Sequence, residues 1–179
     1  MIVIMSVLNE LFAKNLPRQI APGAFLFHRD EPVGQMFMVE EGEIRLIRHQ
    51  ADGDEVILQR AFSGDLLAEA SLFSVRYHCD AVAAGPGMVR ALPKSSFLAA
   101  LQTDMNLATV WAQRLAQEVQ RARLRSEIIS LKTVAQRLDA WLAWNGDIPS
   151  KGEWRALAFE IAVSPEALYR EMAKRRKPQ

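Results

Sequence analysis

The chain has a single cysteine, Cys79, and three histidines among its 179 residues. One cysteine makes no internal disulfide, which excludes a disulfide-stapled secreted fold. No apolar run approaches the roughly 18 residues needed to span a bilayer. The apolar start, MIVIMSVLNELF, lacks the basic opening and the small-residue cleavage site of a secretory signal. These absences point to a soluble, cytoplasmic protein with no membrane partner. There is also no P-loop and no Rossmann glycine fingerprint. His28, His49 and His78 are scattered, with His28 and His49 read as surface residues. Asp52, Asp54 and Glu55 gather at a predicted hairpin turn, and Glu40 and Glu41 border another, where carboxylates are solvated rather than paired for acid–base work. No catalytic residue and no metal site is expected, and the chain does not read as an enzyme.

Half the residues are hydrophobic and 24% are charged, so a globular core is available. The net charge of +1 says little about a polyanionic partner, whereas the seven basic residues from Lys151 onward, four of them in the last six positions, are compatible with phosphate contact. Three zones follow one another. Residues 1–16 read as a short helix with Leu8, Leu11 and Phe12 on one face, ended by Pro17. Residues 18–93 read as β structure, with apolar runs at 24–28, 36–40, 43–48, 55–60, 79–84 and 88–92 separated by Gly and Pro turns. Polar and apolar residues mostly alternate from Glu43 to Arg48, as in a strand with one wet face. Many short, evenly spaced strands indicate a jelly roll or barrel. Residues 66–73 contain no β-branched side chain and read as a short helix lodged within it.

From Lys94 the pattern is helical. Ser95 or Ser96 is placed to cap a short helix to Leu101, and Asp104 a long one from about Met105 to Ile129, without Pro or Gly. Leu107, Trp111, Leu115, Val119 and Ala122 form an apolar seam on it, while Arg114, Gln117, Arg121 and Arg125 lie on other faces. A seam on so long a helix suggests the same helix of a second subunit; packing against the chain's own barrel is the other reading. A further helix over about 131–144, with Val134, Leu138 and Leu142 or Trp141 inward, is stopped by Asn145-Gly146-Asp147.

The most specific signal runs from Leu157 to Arg170. Ala158 is small where two helices cross, Ala162 sits at a tight turn, and Val163 plugs the crossing. Ser164 is an N-cap, Pro165 a first helical residue, and Leu168 faces the core. This is the pattern of a helix-turn-helix, whose second helix enters the major groove of DNA. Ser164, Glu166, Ala167, Arg170, Lys174 and Arg175 are the candidate DNA-binding residues. Glu166 is placed to accept from cytosine N4, Arg170 to grip guanine O6 and N7, and Lys174, Arg175 and Arg176 to sit near phosphates. An ordinary helical hairpin with a Glu166–Arg170 surface pair is the plainer reading.

Barrel, long helix and helix-turn-helix, in that order, resemble the CRP/FNR family. The resemblance rests on Val39-Glu40-Glu41-Gly42-Glu43-Ile44-Arg45-Leu46, on Gly53, and on Gly64-Asp65-Leu66-Leu67-Ala68-Glu69-Ala70-Ser71-Leu72-Phe73. The last stretch resembles the family's phosphate-binding cassette. The resemblance implies an α+β chain: a double-stranded β-helix (jelly roll) sensor domain at 1–103, a dimerisation helix at 104–130 and a helix-turn-helix domain at 131–179. It further implies a homodimer on a palindromic site, an unknown small-molecule effector, and RNA polymerase as a partner.

Leu67, Ala68, Glu69, Ala70, Ser71, Arg76, His78 and Cys79 are the candidate effector-pocket residues. In cyclic-AMP-binding members a Gly-Glu pair opens the cassette, the Glu holds the ribose, and an Arg-Ser pair holds the phosphate. Here Glu69 matches, but Ala68 replaces the Gly and His78-Cys79 fall at Arg-Ser. Loss of a bidentate guanidinium disfavours cyclic AMP, and Arg76 is two residues out of place. One cysteine cannot hold the iron–sulfur cluster of FNR members. Ala162 stands where such turns usually carry Gly. The β wing that follows the recognition helix in the family has no counterpart before Lys177-Pro178-Gln179. His78 and Cys79, taken as strand neighbours, are expected on opposite faces and so not in one ligand sphere. The expected mechanism is an effector near Glu69, His78 and Cys79, or modification of Cys79, that shifts the cassette and re-registers the dimer. The competing reading is a small-molecule-binding jelly roll, or an interaction module, with a helical tail that does not bind DNA.

Overall fold

The computed structural model describes residues 2–50, 53 and 55–176, with side chains from residue 7 onward. Asp52 and Asp54 of the acidic turn, and Lys177 of the basic tail, lie outside these residues. The chain divides into two compact units, Met1–Ala112 and Gln113–Gln179, with the boundary inside a helix.

The first unit opens with helix α1 (Ile2–Ala13), which buries Leu8 and Phe12. Eight strands follow: β1 (Arg18–Ile20), β2 (Phe25–Phe27), β3 (Gln35–Glu41), β4 (Ile44–His49), β5 (Glu55–Ala61), β6 (Leu66–Leu67), β7 (Asp80–Ala83) and β8 (Gly87–Pro93). They form two four-stranded antiparallel sheets, ordered β1-β8-β3-β6 and β2-β7-β4-β5, as a jelly roll requires. Six strands match the apolar runs of the sequence. The other two fall in no apolar run read as a strand: β1 (Arg-Gln-Ile) has one apolar residue, and β6 is only two residues long.

The predicted helix over 66–73 is therefore corrected. Leu66 and Leu67 pair with Met38 and Phe37 in the sheet, and only Glu69–Ser71 is helical, as one 3₁₀ turn. Inside the sandwich, Phe37, Ile44, Leu46, Ile47, Leu66, Leu67, Leu72 and Val89 are buried. Tyr77 stacks on Phe27 with ring centroids 3.9 Å apart, and its hydroxyl donates to the Gln35 carbonyl at 2.8 Å. Two turns meet closely enough to require glycine. A Cβ on Gly42, at φ 86°, would lie 2.7 Å from the Pro86 carbonyl oxygen, and one on Gly87 would lie 2.7 Å from that of Glu41.

Helix α2 (Lys94–Thr103) starts directly after β8. Ser95 and Ser96 lie inside it, and no side chain caps it, which corrects the predicted cap. Asp104 does begin helix α3 (Met105–Ser130): its Oδ1 accepts from the amides of Asn106 and Leu107 at 2.9 and 3.0 Å.

The second unit holds the rest of α3 with α4 (Val134–Asn145), α5 (Trp154–Glu160) and α6 (Pro165–Arg176). Thr133 and Gln136 form a capping box at the start of α4, three residues later than predicted, and Gly146 ends it at φ 86°. The core comprises Ile128, Leu138, Trp154, Leu157, Ala158, Ile161, Leu168 and Met172. Arg137 ties two helix ends together. Its guanidinium donates to the carbonyls of Ile129 and Leu131 at 2.9 Å each, Ala162 at 2.6 Å and Ile161 at 3.3 Å. These are carbonyls that the last turns of α3 and α5 leave without amide partners.

Candidate effector cavity and DNA-reading helix

A cavity of about 80 Å³ opens in the first unit, lined by Phe27, Leu46, Leu58, Gln59, Ala68, Glu69, Ala70, Ser71, His78 and Cys79. The β6 strand delivers the chain to its edge, where Ala68 turns in the left-handed region (φ 71°) so that Glu69–Ser71 can coil along the wall. That backbone explains why a glycine opens the cassette in the members that Glu69 resembles: an L side chain there costs about 1–2 kcal/mol. Ser71 Oγ and His78 Nδ1 are 2.9 Å apart and hydrogen-bonded across the cavity.

His78 and Cys79 precede β7 in a bend, so strand alternation does not apply to them, and both line the cavity. The opposite-face expectation is thus corrected. Burial lowers the His78 pKa, helped by the Arg48 guanidinium, whose Nε donates to the His78 carbonyl at 3.2 Å. Burial also pushes the Cys79 thiol up to about 11, with the Glu69 and Asp80 carboxylates adding to it and Arg48 opposing. A buried, protonated thiol is a poor nucleophile, which removes the support for modification of Cys79. Among the described residues no group of three or more His, Cys, Asp or Glu is arranged to hold a metal.

Two further pocket candidates stand elsewhere. Leu67 is fully buried in the β3–β6 ladder and is not among the lining residues. Arg76 donates to the Asp30 carbonyl and bridges to Pro32, so it does not stand in for the missing phosphate-binding guanidinium. His28, read as isolated, is half exposed with Nδ1 3.3 Å from Asp80.

In the second unit, α5 and α6 cross at Ala158, which is 1% exposed, and the turn between them puts Ala162 at φ 52°. Ser164 caps α6, accepting from the Ala167 amide at 3.2 Å, with Pro165 first in the helix and Leu168 buried. Glu166 and Arg170 are exposed, and Ala167 is half-buried between them. Hydrogen bonds from its own amide and from Ser164 lower the Glu166 pKa, with Arg155 and Arg170 adding to this, so the carboxylate is charged.

Lys174 is exposed, but Arg175 is not available as a phosphate ligand. It pairs with Asp139 at 2.7 Å and Glu171 at 3.0 Å and donates to the Ala135 carbonyl at 3.2 Å. It is a tie between α4 and α6, which corrects its expected role. Its carboxylate partner on α4 is distant in sequence and left no local signal. The Arg176 guanidinium lies 5.0 Å from the Trp154 ring centre. The two units also differ in charge. Met1–Ala112 carries nine Lys and Arg against thirteen Asp and Glu, and Gln113–Gln179 thirteen against eight.

The predicted seam on α3 divides. Leu107 and Trp111 are 2% and 5% exposed within the first unit, where Trp111 meets Phe97 edge-on at 4.9 Å. They pack in their own chain, and their place in a dimer seam is corrected. Leu115 is half-buried, and Val119 and Ala122 are exposed. The 4-4 spacing from Leu107 to Leu115 drifts around the helix, whereas Leu115, Val119, Ala122, Ser126 and Ile129 keep the alternating spacing of four and three that holds one face.

Residues 17–104 match the family described as the cyclic nucleotide-binding domain. Among solved structures, FixK2 from Bradyrhizobium japonicum aligns at a TM-score of 0.68 with 20% identity, over 89% of this chain and 83% of that one. The sensor domain of the transcriptional regulator DNR from Pseudomonas aeruginosa aligns at 0.55 with 26% identity, over 71% and 83%. The c-di-GMP-responsive global regulator CLP of Xanthomonas campestris aligns at 0.63 with 17% identity, over 96% and 91%. Residues 17–104 thus match a cyclic nucleotide-binding domain, and the chain shares the fold of these regulators. No curated protein matches it in sequence. Ala68, His78 and Cys79, which stand where the resemblance expects Gly and Arg-Ser, all lie in the wall of the cavity. The helix-turn-helix keeps its shape with Ala162 in the left-handed turn. Among the described residues no helix is long and apolar enough to cross a membrane.

Proposed function

We propose that this CRP/FNR-type chain is a transcription regulator that binds DNA as a homodimer on a two-fold symmetric site, under control of a small effector in the Glu69–His78 cavity. The observation that carries this is the Ser164-capped α6, which turns Glu166, Arg170 and Lys174 to solvent on the more basic unit. Arg170 is the guanine reader, Glu166 accepts from cytosine N4, and Lys174 meets phosphate. Leu115, Val119 and Ala122, with Ser126 and Ile129, are the face offered to the same helix of a second subunit. RNA polymerase is the further partner that a regulator of this type addresses. Because α3 belongs to both units, an effector that favours one placement of the cassette has a continuous helix through which to alter the spacing of two α6 helices, about 34 Å for successive major grooves.

Cyclic AMP is not the effector that this cavity favours. Small-molecule sites usually enclose about 300–1,000 Å³, against about 80 Å³ here, and the phosphate-binding guanidinium is absent from the described lining. The test is selection of bound duplexes from a random-sequence pool by the purified chain. Recovery of a symmetric site with half-sites about one helical turn apart supports the reading. Recovery of no site, with only weak salt-sensitive binding, favours the jelly roll with a non-reading tail.

A further inference from the structure

We infer that helices α4–α6 and the C-terminal end of α3 turn as one rigid body, because Arg137 locks the connection between α3 and α4 against bending. Arg137 is then a positioning residue. It fixes the angle at which α6 stands to the helix that carries Leu115, Val119 and Ala122. The use of that angle in DNA reading rests on the proposed function of α6, whereas the rigidity does not.

The connection, Leu131-Lys132-Thr133, is where a pivot is to be expected, since hinges are commonly a few residues at the ends of elements. Here it is closed on both sides. It contains no glycine, the Leu131 amide donates to the Ile128 carbonyl at 3.2 Å, and Thr133 ends it as the capping residue of α4. Arg137, at the start of α4, then reaches back over it. Its Nε donates to the Leu131 carbonyl at 2.9 Å, in the connection itself, and its Nη2 to the Ile129 carbonyl at 2.9 Å, in the last turn of α3. Its Nη1 donates to the Ala162 and Ile161 carbonyls at 2.6 and 3.3 Å, in the turn before α6. A guanidinium is planar, and its donors point in fixed directions. Bending at Lys132 would therefore draw the carbonyls of separate segments away from one rigid fork.

Other contacts hold the same helices. Ile128 is 2% exposed in the core with Leu138, Trp154 and Leu157, and Leu124 packs against that cluster, so the end of α3 belongs to the core of the second unit. The Arg125 guanidinium of α3 lies 4.8 Å from the Phe159 ring centre on α5. Trp141 of α4 donates to the Glu160 carboxylate of α5 at 2.6 Å. Arg175 of α6 returns to Asp139 and to the Ala135 carbonyl of α4. Thus α3, α5 and α6 are each fastened to α4 by a polar side chain: Arg137, Trp141 and Arg175. Rotation of α3 about its apolar face is delivered to α6 without loss at the joint, and a shift in the register of that face is enough to alter the placement of α6.

The test is a distance measurement by pulsed dipolar spectroscopy on the full chain, with spin labels at Gln120→Cys on α3 and Ala173→Cys on α6, both exposed positions. Labelling at about pH 7 spares the buried Cys79 thiol, and dilution with unlabelled chain leaves pairs within one chain dominant. With Arg137 in place a single narrow distance is expected. Arg137→Ala, or Arg137→Lys if the alanine variant does not fold, should add a second distance or a broad distribution at a temperature where melting curves show the chain folded. A broad distribution in the folded parent overturns the rigid body. A distribution equally narrow in a folded Arg137 variant overturns Arg137 as the lock. On the symmetric site recovered by selection, inserting a base pair between the half-sites should weaken the parent, and should weaken Arg137→Lys markedly less. Equal losses overturn the use of the angle in DNA reading. Recovery of no site overturns the proposed function and this use of the angle together, and the distances still decide the rigidity.

Discussion

In the first unit the chemistry-bearing groups turn inward. Ser71 is buried, Cys79 is 1% exposed, and His78 and the thiol are kept neutral by the apolar wall around them. In the second unit they turn outward, and Glu166 and Arg170 stay charged on an exposed helix start. The same side-chain types thus serve different ends. Burial in the jelly roll makes a small cavity, and exposure on α6 makes a surface suited to base edges and phosphates. The difference in charge between the units follows that division. It also separates arginines that look alike in sequence: Arg137 and Arg175 are consumed by carbonyls and carboxylates within the fold, while Arg170 is presented to solvent.

The contrast can be broken at several points. The largest expected effect is on Cys79. Its thiol stands at about 11 against an ordinary 9.0, so alkylation near pH 8 should be at least about a hundredfold slower in the folded chain than in urea. Equal rates in both would mean that the cavity wall is open.

Next comes Arg137→Ala. Four carbonyls lose a charged donor, and a single hydrogen bond to a charged group contributes about 1.5–3 kcal/mol. The second unit should lose about 2–3 kcal/mol in denaturant melts, with the first unit little changed; a variant as stable as the parent would show the tie to be idle.

The two left-handed alanines give a smaller, graded comparison. Ala162→Gly, in the exposed turn, should stabilise by about 1 kcal/mol. Ala68→Gly should gain less, because it also removes a buried methyl from the cassette. The reverse ranking in thermal melts would contradict this account of the two turns.

The smallest effect is on pH. The folded His78 pKa lies below the ordinary 6.5, so the unfolded chain binds a proton first. Its contribution to stability is complete above pH 6.5 and is lost as pH falls through the lowered pKa. His78→Gln should flatten that part of the melting-temperature profile, and an unchanged slope would place the titration elsewhere.

The sequence disclosed most where local chemistry and periodicity agree. Ser164-Pro165, Asp104 and Asn145-Gly146 mark helix ends through side-chain or backbone demands that operate over three or four residues. The six strands built on apolar runs were equally readable. What escaped was set by distant contacts or by brevity. The β6 strand is two residues long and its pairing with β3 lies across the sheet. Arg175 is spent on Asp139, thirty-six residues away. Leu107 and Trp111 belong to the first unit's interior, because a helix with apolar residues at spacing four buries successive residues on a face that rotates. The cassette was located by Glu69 and its neighbours, yet its bend at His78-Cys79 follows from the loop's attachment to Asp30, Glu31 and Val33 through backbone hydrogen bonds, which no local pattern announces.

The most direct test of the central claim is the affinity of Arg170→Ala for the symmetric site recovered by selection, measured beside a scrambled duplex of the same length and salt. The account predicts a loss of about 1–3 kcal/mol on the site, roughly tenfold to a hundredfold, with little change on the scrambled duplex. Equal affinity of variant and parent for the site would contradict the assignment of α6 as the reading helix.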